Sequence, residues 1–197
     1  ASKIFVPTDT VRKDIARFLK DVETKIEVLR FGYERISDVP KASGRTNSVL
    51  FIGRVEEKKN VANLINAFLD FKKTHSDWNL IIAGKPGFGS EKIEPLLSSV
   101  GVKYLGYVSD EEKHHLLSSA KILAFVSREE GFAIPMLEAF DFGVAVLASD
   151  IPVLHEVGGD ACLYVSPGDV NNIADGLCKL ADDEKLRNDL ISKGAER

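Results

Sequence analysis

Short apolar runs alternate with stretches of helical periodicity from residue 49 onward, and this alternation constrains the fold more than any other feature. Most of the runs are apolar on both faces. They occupy residues 49–52, 80–83, 102–105, 122–126, 144–147 and 162–165. Strands of a parallel sheet have this pattern, because helices cover both faces of the sheet. The sequence therefore predicts an α/β fold with a Rossmann-like, doubly wound parallel sheet and right-handed crossovers.

The stretches between these runs carry the signals of helices that face a core. Asn60 is the predicted N-cap of one helix, whose apolar stripe has the spacing i, i+3, i+4, i+7 and i+8. This stripe consists of Val61, Leu64, Ile65, Phe68 and Leu69. Ser109 and Glu112 have the spacing of a capping box before another helix. Ligands of such sheets bind beyond the carboxyl ends of the strands, so the loops at those ends form the candidate site.

Residues 1–48 have a different organisation. Residues 4–6 are a predicted strand, a helix follows, and residues 26–31 are a predicted second strand. Residues 41–48, rich in Ser, Gly and Asn, have the composition of a linker or an exposed loop. We therefore expect a strand-helix-strand unit with its linker over residues 1–40, and the Rossmann-like domain over residues 41–197.

Composition narrows the classes of function. Lys and Arg number 26 against 30 Asp and Glu, a net charge of −4, so the overall charge does not favour binding to nucleic acid. Cys162 and Cys178 lack the spacing of a metal site or a redox motif, and we expect two buried free thiols. No apolar run reaches the ~18 residues of a membrane span, and no secretory signal pattern is present. A cytoplasmic location is expected.

A first candidate for chemistry follows the apolar run at 49–52. Gly53 frees the backbone to turn, and Arg54 and Lys59 can converge on one anion beside the positive end of the next helix. A guanidinium suits phosphate oxygens. From the residues alone, a solvated charged loop is the alternative interpretation.

A second candidate is the segment 130–138, after the apolar run at 122–126. Pro135 favours the first turn of a helix, so the preceding backbone N–H groups can meet a phosphate. Glu138 is expected in that first turn and Glu130 in the loop before it. Carboxylates flanking an anion site can accept hydrogen bonds from sugar hydroxyls. Ordinary acidic residues at a helix start are the alternative.

Two further segments have simpler interpretations. Residues 84–90 are glycine-rich but match neither the dinucleotide fingerprint nor the P-loop, so they form a plain loop or the rim of a ligand site. An NAD-binding oxidoreductase is disfavoured for the same reason. The charged run 110–113 is interpreted as a solvated helix face.

Taken together, these segments resemble the retaining glycosyltransferases of family 4, which have the GT-B fold. The resemblance rests on ordered signatures: Gly53-Arg54 with Lys59, then 105–112, 130–138, 149–152 and 156–161. It implies that residues 41–197 form the nucleotide-sugar-binding domain and that residues 1–40 are the end of the N-terminal domain with its linker. It also implies transfer of a hexosyl group from a nucleotide-diphosphate sugar to an acceptor.

The resemblance implies a role for each candidate residue. Arg54 and Lys59 would bind the donor diphosphate as leaving group and Glu130 would contact the sugar hydroxyls, so these are the expected catalytic residues. Glu138 would hold the ribose. The other expected donor-binding residues are Gly53, Tyr107, Val108, Gly131, Phe132, Ala133 and Ile134. Neither a metal nor a cofactor is expected, because cationic side chains and the helix terminus replace them. Ala133 stands where the family usually has glycine, which should modulate affinity.

The resemblance also implies partners. The expected donor is a UDP-, GDP- or ADP-linked sugar, and the expected acceptor is lipid-linked or a polysaccharide, as in polysaccharide biosynthesis. The acceptor site would lie in an N-terminal domain beyond this chain, so the isolated chain should bind donor but transfer poorly. The full-length protein is compatible with peripheral attachment to the inner face of the membrane. A non-catalytic nucleotide-binding module of GT-B type is the alternative, for which loss of Arg54, Lys59, Glu130 or Glu138 would be the signature.

Overall fold

A computed structural model describes residues 2–19, 21–36 and 44–197. Its centre is a six-stranded parallel sheet with the strand order β5-β4-β3-β6-β7-β8. The strands are β3 (Thr46–Ile52), β4 (Asn79–Ala83), β5 (Val102–Gly106), β6 (Ala120–Phe125), β7 (Ala145–Ser149) and β8 (Cys162–Val165). The order reverses between β3 and β6, which places a crevice at the carboxyl ends of these two strands. The predicted doubly wound α/β class is confirmed.

Helices cover both faces of this sheet. They are α2 (Val61–Lys72), α3 (Asp110–Ser119), α4 (Ile134–Asp141), α5 (Pro152–Gly158), α6 (Val170–Asp182) and α7 (Glu184–Glu196). One apolar cluster packs α2 and α6 on the sheet, and a second packs α3, α4 and α5 on the opposite face. Burial of strand side chains in both clusters explains why the strands read as continuous apolar runs. Within the described residues, no helix has the length and hydropathy that crossing a membrane requires.

The two cysteines differ in burial. Cys162 is buried, as expected, and its burial raises the pKa of the thiol to about 12. Cys178, on α6, is only partly buried, so the expectation of two buried thiols is wrong for this residue. Cys178 packs against the first apolar cluster but is only partly covered, whereas Cys162 is one of the buried residues of the second.

Residues 2–36 form a small separate unit against the main domain. Strands β1 (Ile4–Val6) and β2 (Ile26–Val28) pair in parallel, and α1 (Asp9–Phe18) connects them. The second strand is therefore shorter than the predicted 26–31, because its pairing ends with β1 at Val6.

The segment predicted as a linker is partly strand. Thr46, Asn47 and Ser48 belong to β3, and Ser48 is buried between its neighbours β4 and β6. The polar composition of these residues predicts a loop. The pairing of β3 with β4 and with β6 overrides this local preference. The predicted domain boundary between residues 40 and 41 lies outside the described residues.

The Glu156 carboxylate on α5 is one of the groups that connect the small unit to the main domain. Glu156 accepts hydrogen bonds from the backbone N–H groups of Asp9 and Thr10 and from the Thr10 hydroxyl, at 2.8, 3.1 and 3.1 Å. Its position at the N-terminus of α1 also suits the helix dipole. Burial alone would raise the pKa of Glu156, but these hydrogen bonds outweigh it and lower the pKa below its ordinary value.

We expect this contact to weaken in acid. Because the folded-state pKa of Glu156 is lowered, its contribution is complete above the unfolded value of about 4.3 and is lost as the pH falls through the folded value. The free energy of unfolding of the wild type should exceed that of Glu156→Gln at pH 7, and the difference should be smaller at pH 3, below the unfolded value. Denaturant titrations at both pH values measure it. Exposed Glu34→Gln is the control, and a difference independent of pH would contradict the prediction.

Candidate functional site

The first wall of the crevice is formed where β3, β4 and β5 end together. The Gly53 N–H donates to Ala83 O at 3.0 Å, and the Gly84 N–H donates to Gly106 O at 2.6 Å. Gly53 and Gly84 have φ of 152° and 151°, which only glycine adopts readily. The loop after β3 is thereby fixed to the loop after β4, and Arg54 is left exposed at the mouth of the crevice.

A close ion pair crosses the crevice from the first wall to the second. Lys59 Nζ lies 2.6 Å from Glu130 Oε1, and the two side chains are 19% and 9% exposed. The ammonium also lies 5.6 Å from the centroid of the Phe125 ring. Residues 71 positions apart in sequence are in contact here, because β3 and β6 are neighbours in the sheet. Lys59 and Glu130 are therefore held as one unit.

The start of α2 is held by bonds that the sequence did not predict. Asn60 occupies the predicted N-cap position, with φ 60°. Its side chain makes no capping hydrogen bond, so the predicted side-chain cap is wrong. Instead its amide donates to Val126 O at 3.0 Å and Pro167 O at 2.7 Å, while Oδ1 accepts from Arg128 Nε at 3.1 Å. The left-handed backbone directs the side chain away from α2 and toward these neighbours. This fixes Lys59 relative to the loop after β6.

The second wall is the loop 127–133 and the first turn of α4. Pro135 lies in this first turn, as predicted, and the N-cap residue Ala133 makes no side-chain bond. Pro135 has no N–H and the Met136 N–H donates to Ala133 O at 3.1 Å, so this end offers an anion the N–H of Ile134. Glu138, however, lies in the second turn, because α4 begins at Ile134, so its placement in the first turn is wrong.

Ala133 is strained. Its φ is 103°, a value unfavourable for a side chain with a Cβ, and it is buried. The departure from the glycine expected here therefore carries a backbone cost. The residue is held on one side by α4, which begins at Ile134, and on the other by Phe132, which packs against Phe31.

We expect Ala133→Gly to stabilise the fold by about 1 kcal/mol. Relief of a strained backbone gives about 1–3 kcal/mol, and the greater freedom of glycine in the unfolded chain offsets about 0.4–1 kcal/mol of it. Urea denaturation measures the change. Ala139→Gly, buried within α4, is the matched control and should lower stability by about 1 kcal/mol or more. Equal losses for both variants would show that Ala133 is unstrained.

A cavity of about 410 Å³ lies between the two walls, and we call it the cationic cleft. Its lining includes each expected catalytic residue and half of the expected donor-binding residues. Its lining includes Gly53, Arg54, Lys59, Glu130, Phe132, Ala133 and Ile134. Gly131 lies on the same loop, and its carbonyl accepts from Thr8 Oγ1 of the small unit at 3.3 Å. Phe132 packs edge-to-face on Phe31 of that unit, with ring centroids 5.4 Å apart.

A second cavity, of about 760 Å³, lies beside the end of β5, and we call it the α3 cavity. Tyr107 and Val108 line it, together with the first turns of α3. Tyr107 is largely exposed, and Lys85 Nζ lies 4.4 Å from its ring centroid. The capping box predicted at Ser109 and Glu112 is present and fixes the start of α3. Glu138 lines neither cavity and instead pairs with Lys113.

Sequence reasoning missed other parts of the site. The charged run 110–113 predicts a solvated helix face, but the Lys113 ammonium points inward to Glu138, so that prediction is wrong for this residue. Lys58 and the buried Glu56 also line the cationic cleft and lie 3.5 Å apart. The inward direction of Lys113 has one signal in the sequence: it stands four residues before Leu117, on the apolar side of α3.

Comparison with known proteins decides the family. The profile described as "Glycosyl transferases group 1" matches residues 33–197. The chain belongs to this family. The group 1 match covers both walls of the cationic cleft, and so the expectation drawn from the sequence signatures is confirmed.

Similar proteins of this family include two mannosyltransferases. O-antigen chain mannosyltransferase B of Escherichia coli is 33% identical over 150 residues, which are 74% of this chain and 39% of that protein. Phosphatidyl-myo-inositol mannosyltransferase of Mycolicibacterium smegmatis is 30% identical over 182 residues, 90% of this chain and 46% of that protein. This chain thus spans less than half the length of either relative.

Solved structures support the fold of this group 1 domain. HepE from Anabaena, crystallised in complex with UDP and glucose, superposes with a TM-score of 0.84 at 18% sequence identity. The superposition covers 100% of this chain and 58% of HepE. The Rossmann-like domain of a GT-B glycosyltransferase is therefore the fold of this chain.

Proposed function

We propose that this chain is the donor-binding part of a glycosyltransferase that transfers a hexosyl group from a nucleotide-diphosphate sugar to an acceptor. The observation that carries the proposal is the cationic cleft, where Arg54, Lys59 and the start of α4 face one space. Positive side chains and the backbone N–H at the start of a helix together suit a diphosphate. Family membership supports the same chemistry.

Each side chain of the cleft has a role in this proposal. Arg54 and Lys59 bind the diphosphate and stabilise the negative charge that develops as it leaves the sugar. The backbone at Ala133 and Ile134 contacts the phosphates. Glu130, held by Lys59 at 2.6 Å, accepts hydrogen bonds from sugar hydroxyls with its remaining lone pairs. Neither a metal nor a cofactor takes part, because the charge of the leaving group is met by these cations.

The ribose and the base extend from the cleft toward α3. Glu138 accepts from the ribose hydroxyls, and the base occupies the α3 cavity beside Tyr107 and Val108. Gly53, Gly131 and Phe132 shape the wall near the phosphates and the sugar. The base would then lie in the α3 cavity at the end of β5, and the diphosphate in the cationic cleft between the ends of β3 and β6. The ribose would lie between these two cavities.

We also propose that transfer proceeds with retention of anomeric configuration. The carboxylate closest to the sugar position, that of Glu130, is held in an ion pair with Lys59, so it is a poor nucleophile. Departure of the diphosphate and attack by the acceptor then occur on the same face, with a diphosphate oxygen accepting the acceptor proton. NMR analysis of the product of the full-length enzyme tests this step, and an inverted product would overturn it.

The relatives suggest the sugar and the acceptor. Both are named mannosyltransferases, one acting on an O-antigen chain and one on phosphatidyl-myo-inositol. We propose a mannosyl donor and a lipid-linked or polysaccharide acceptor, bound by an N-terminal domain of the full-length, peripherally membrane-associated enzyme. The small unit of residues 2–36 is the end of that domain, and the chain alone transfers poorly.

Calorimetric titration tests the proposal. The chain is titrated with UDP, GDP and ADP in the presence of EDTA, and then with the sugar-linked form of the diphosphate that binds. Saturable binding of one diphosphate without metal is expected, and Arg54→Ala should weaken it by about 1.5 to 3 kcal/mol for a lost charged hydrogen bond. Absence of binding to all three would overturn the proposal for this chain.

A further inference from the structure

A largely buried ion pair joins the helices that line the two cavities. Lys113 Nζ lies 2.7 Å from Glu138 Oε1, and the side chains are 19% and 11% exposed. Lys113 lies on α3, which lines the α3 cavity, whereas Glu138 lies on α4, whose start lines the cationic cleft. In a nucleoside diphosphate the ribose connects the base to the phosphates. In the proposed binding mode, the pair therefore joins the two helices that flank the ribose.

The contacts of this pair occupy one carboxylate oxygen. Lys113 also donates to Asp110 Oδ1 at 2.9 Å, one turn earlier on α3. Among residues 2–19, 21–36 and 44–197, Glu138 Oε1 accepts from Lys113 and no donor contacts Oε2. Burial opposes the charge on Lys113, but the hydrogen bonds to Glu138 and Asp110 outweigh it and raise the pKa of the ammonium. Lys113 thus stays charged at neutral pH.

Stability alone is a weak explanation for such a pair. The desolvation of two charges offsets most of their attraction, and apolar side chains of similar size often stabilise a fold equally well. Fixing the direction of a carboxylate is a different benefit, because a carboxylate bound through one oxygen presents the other in a defined place.

We propose that Lys113 is a positioning residue for ribose recognition: it holds Glu138 Oε1 so that Oε2 accepts a hydrogen bond from a ribose hydroxyl. This inference rests on the proposed function, in which Glu138 contacts the ribose. Lys113 itself touches neither the sugar nor the phosphates. Its effect is confined to the part of the ligand between base and diphosphate.

Titration with modified ribose tests the inference. Wild type is titrated with UDP, GDP and ADP, with the 2′-deoxy and 3′-deoxy forms of the diphosphate that binds, and with pyrophosphate. Wild type should prefer the ribose form over one deoxy form by about tenfold, the size expected for a hydrogen bond to a charged group. Lys113→Met should reduce that preference toward one, leave pyrophosphate affinity within about twofold, and be rescued by Lys113→Arg.

Two further variants separate positioning from general damage. Lys193→Met removes an exposed lysine that pairs with Asp189 at 2.7 Å and should leave the ribose preference unchanged. If Lys113→Met does not fold, Lys113→Met/Glu138→Gln removes the unpaired buried charge, and it too should bind without ribose preference.

The outcomes distinguish this inference from the proposed function. A retained ribose preference in Lys113→Met or in the double variant overturns the inference, and so does equal loss of pyrophosphate affinity. A wild type that binds the diphosphate but shows no ribose preference also overturns it, while the proposed function stands. A wild type that binds no nucleoside diphosphate overturns both.

Discussion

Replacement of Lys59 by methionine should weaken binding of the nucleoside diphosphate by about 2 to 5 kcal/mol, the range for truncating one partner of a buried charge pair. The variant loses the cation that faces the phosphates. It also leaves the Glu130 carboxylate, 2.6 Å away in the wild type, without its partner and repelling the phosphates. Titration calorimetry at constant ionic strength measures the effect.

The neighbouring lysine provides a matched control for this prediction. Lys58 lines the same cleft but is 57% exposed, and Lys58→Met should cost less than about 1 kcal/mol because exposed pairs contribute little. Lys59→Met/Glu130→Gln should regain stability and the part of the affinity lost to repulsion by Glu130, but not the part that the Lys59 cation supplies. Equal losses for Lys58→Met and Lys59→Met would contradict a specific role for Lys59.

Replacement of Gly84 by alanine should lower the free energy of unfolding by about 4 kcal/mol or more, a size that marks a severe local conflict. A Cβ at this position would lie 1.8 Å from Gly53 O, and φ is 151°. Neither backbone segment can move aside, because both are hydrogen-bonded to the ends of β4 and β5. Urea denaturation followed by circular dichroism measures the loss.

Gly168→Ala is the control for this substitution. No atom lies within 4 Å of a Cβ placed there, and its backbone lies outside the left-handed region. Its effect should stay within about 0.5 kcal/mol, as for most surface changes. A Gly84→Ala variant as stable as Gly168→Ala would mean that the loops after β3 and β4 are not in the contact described.

The α/β fold could largely be predicted from the sequence, because its strands are buried on both faces. Runs such as 122–126 are apolar over their full length. This pattern identifies a buried strand even when the adjacent strands are unknown. The ends of strands depend on pairing instead. Thr46 to Ser48 join β3 despite their polar side chains, and residues 29–31 leave β2 although they are mostly apolar.

The sequence predicted that several candidate residues converge, but it did not predict their contacts. Because parallel strands end at one edge, the loops after β3 and β6 were expected to converge, and Arg54, Lys59 and Glu130 do line one cleft. The direct contact of Lys59 with Glu130, and the inward direction of Lys113, depend on which strands and helices are neighbours. Local periodicity does not contain that information.

The strand order has a consequence for how the site comes into existence during folding. Lys59 follows β3 and Glu130 follows β6, so the chain through β5 carries the lysine without its carboxylate partner. The cleft forms only once β6 has inserted beside β3, a late and non-local event in a chain that emerges from its N-terminus. A ligand of the cleft would therefore stabilise only the sheet in which β6 is already in place. Ligand binding would measure the fraction of chains that have reached this state.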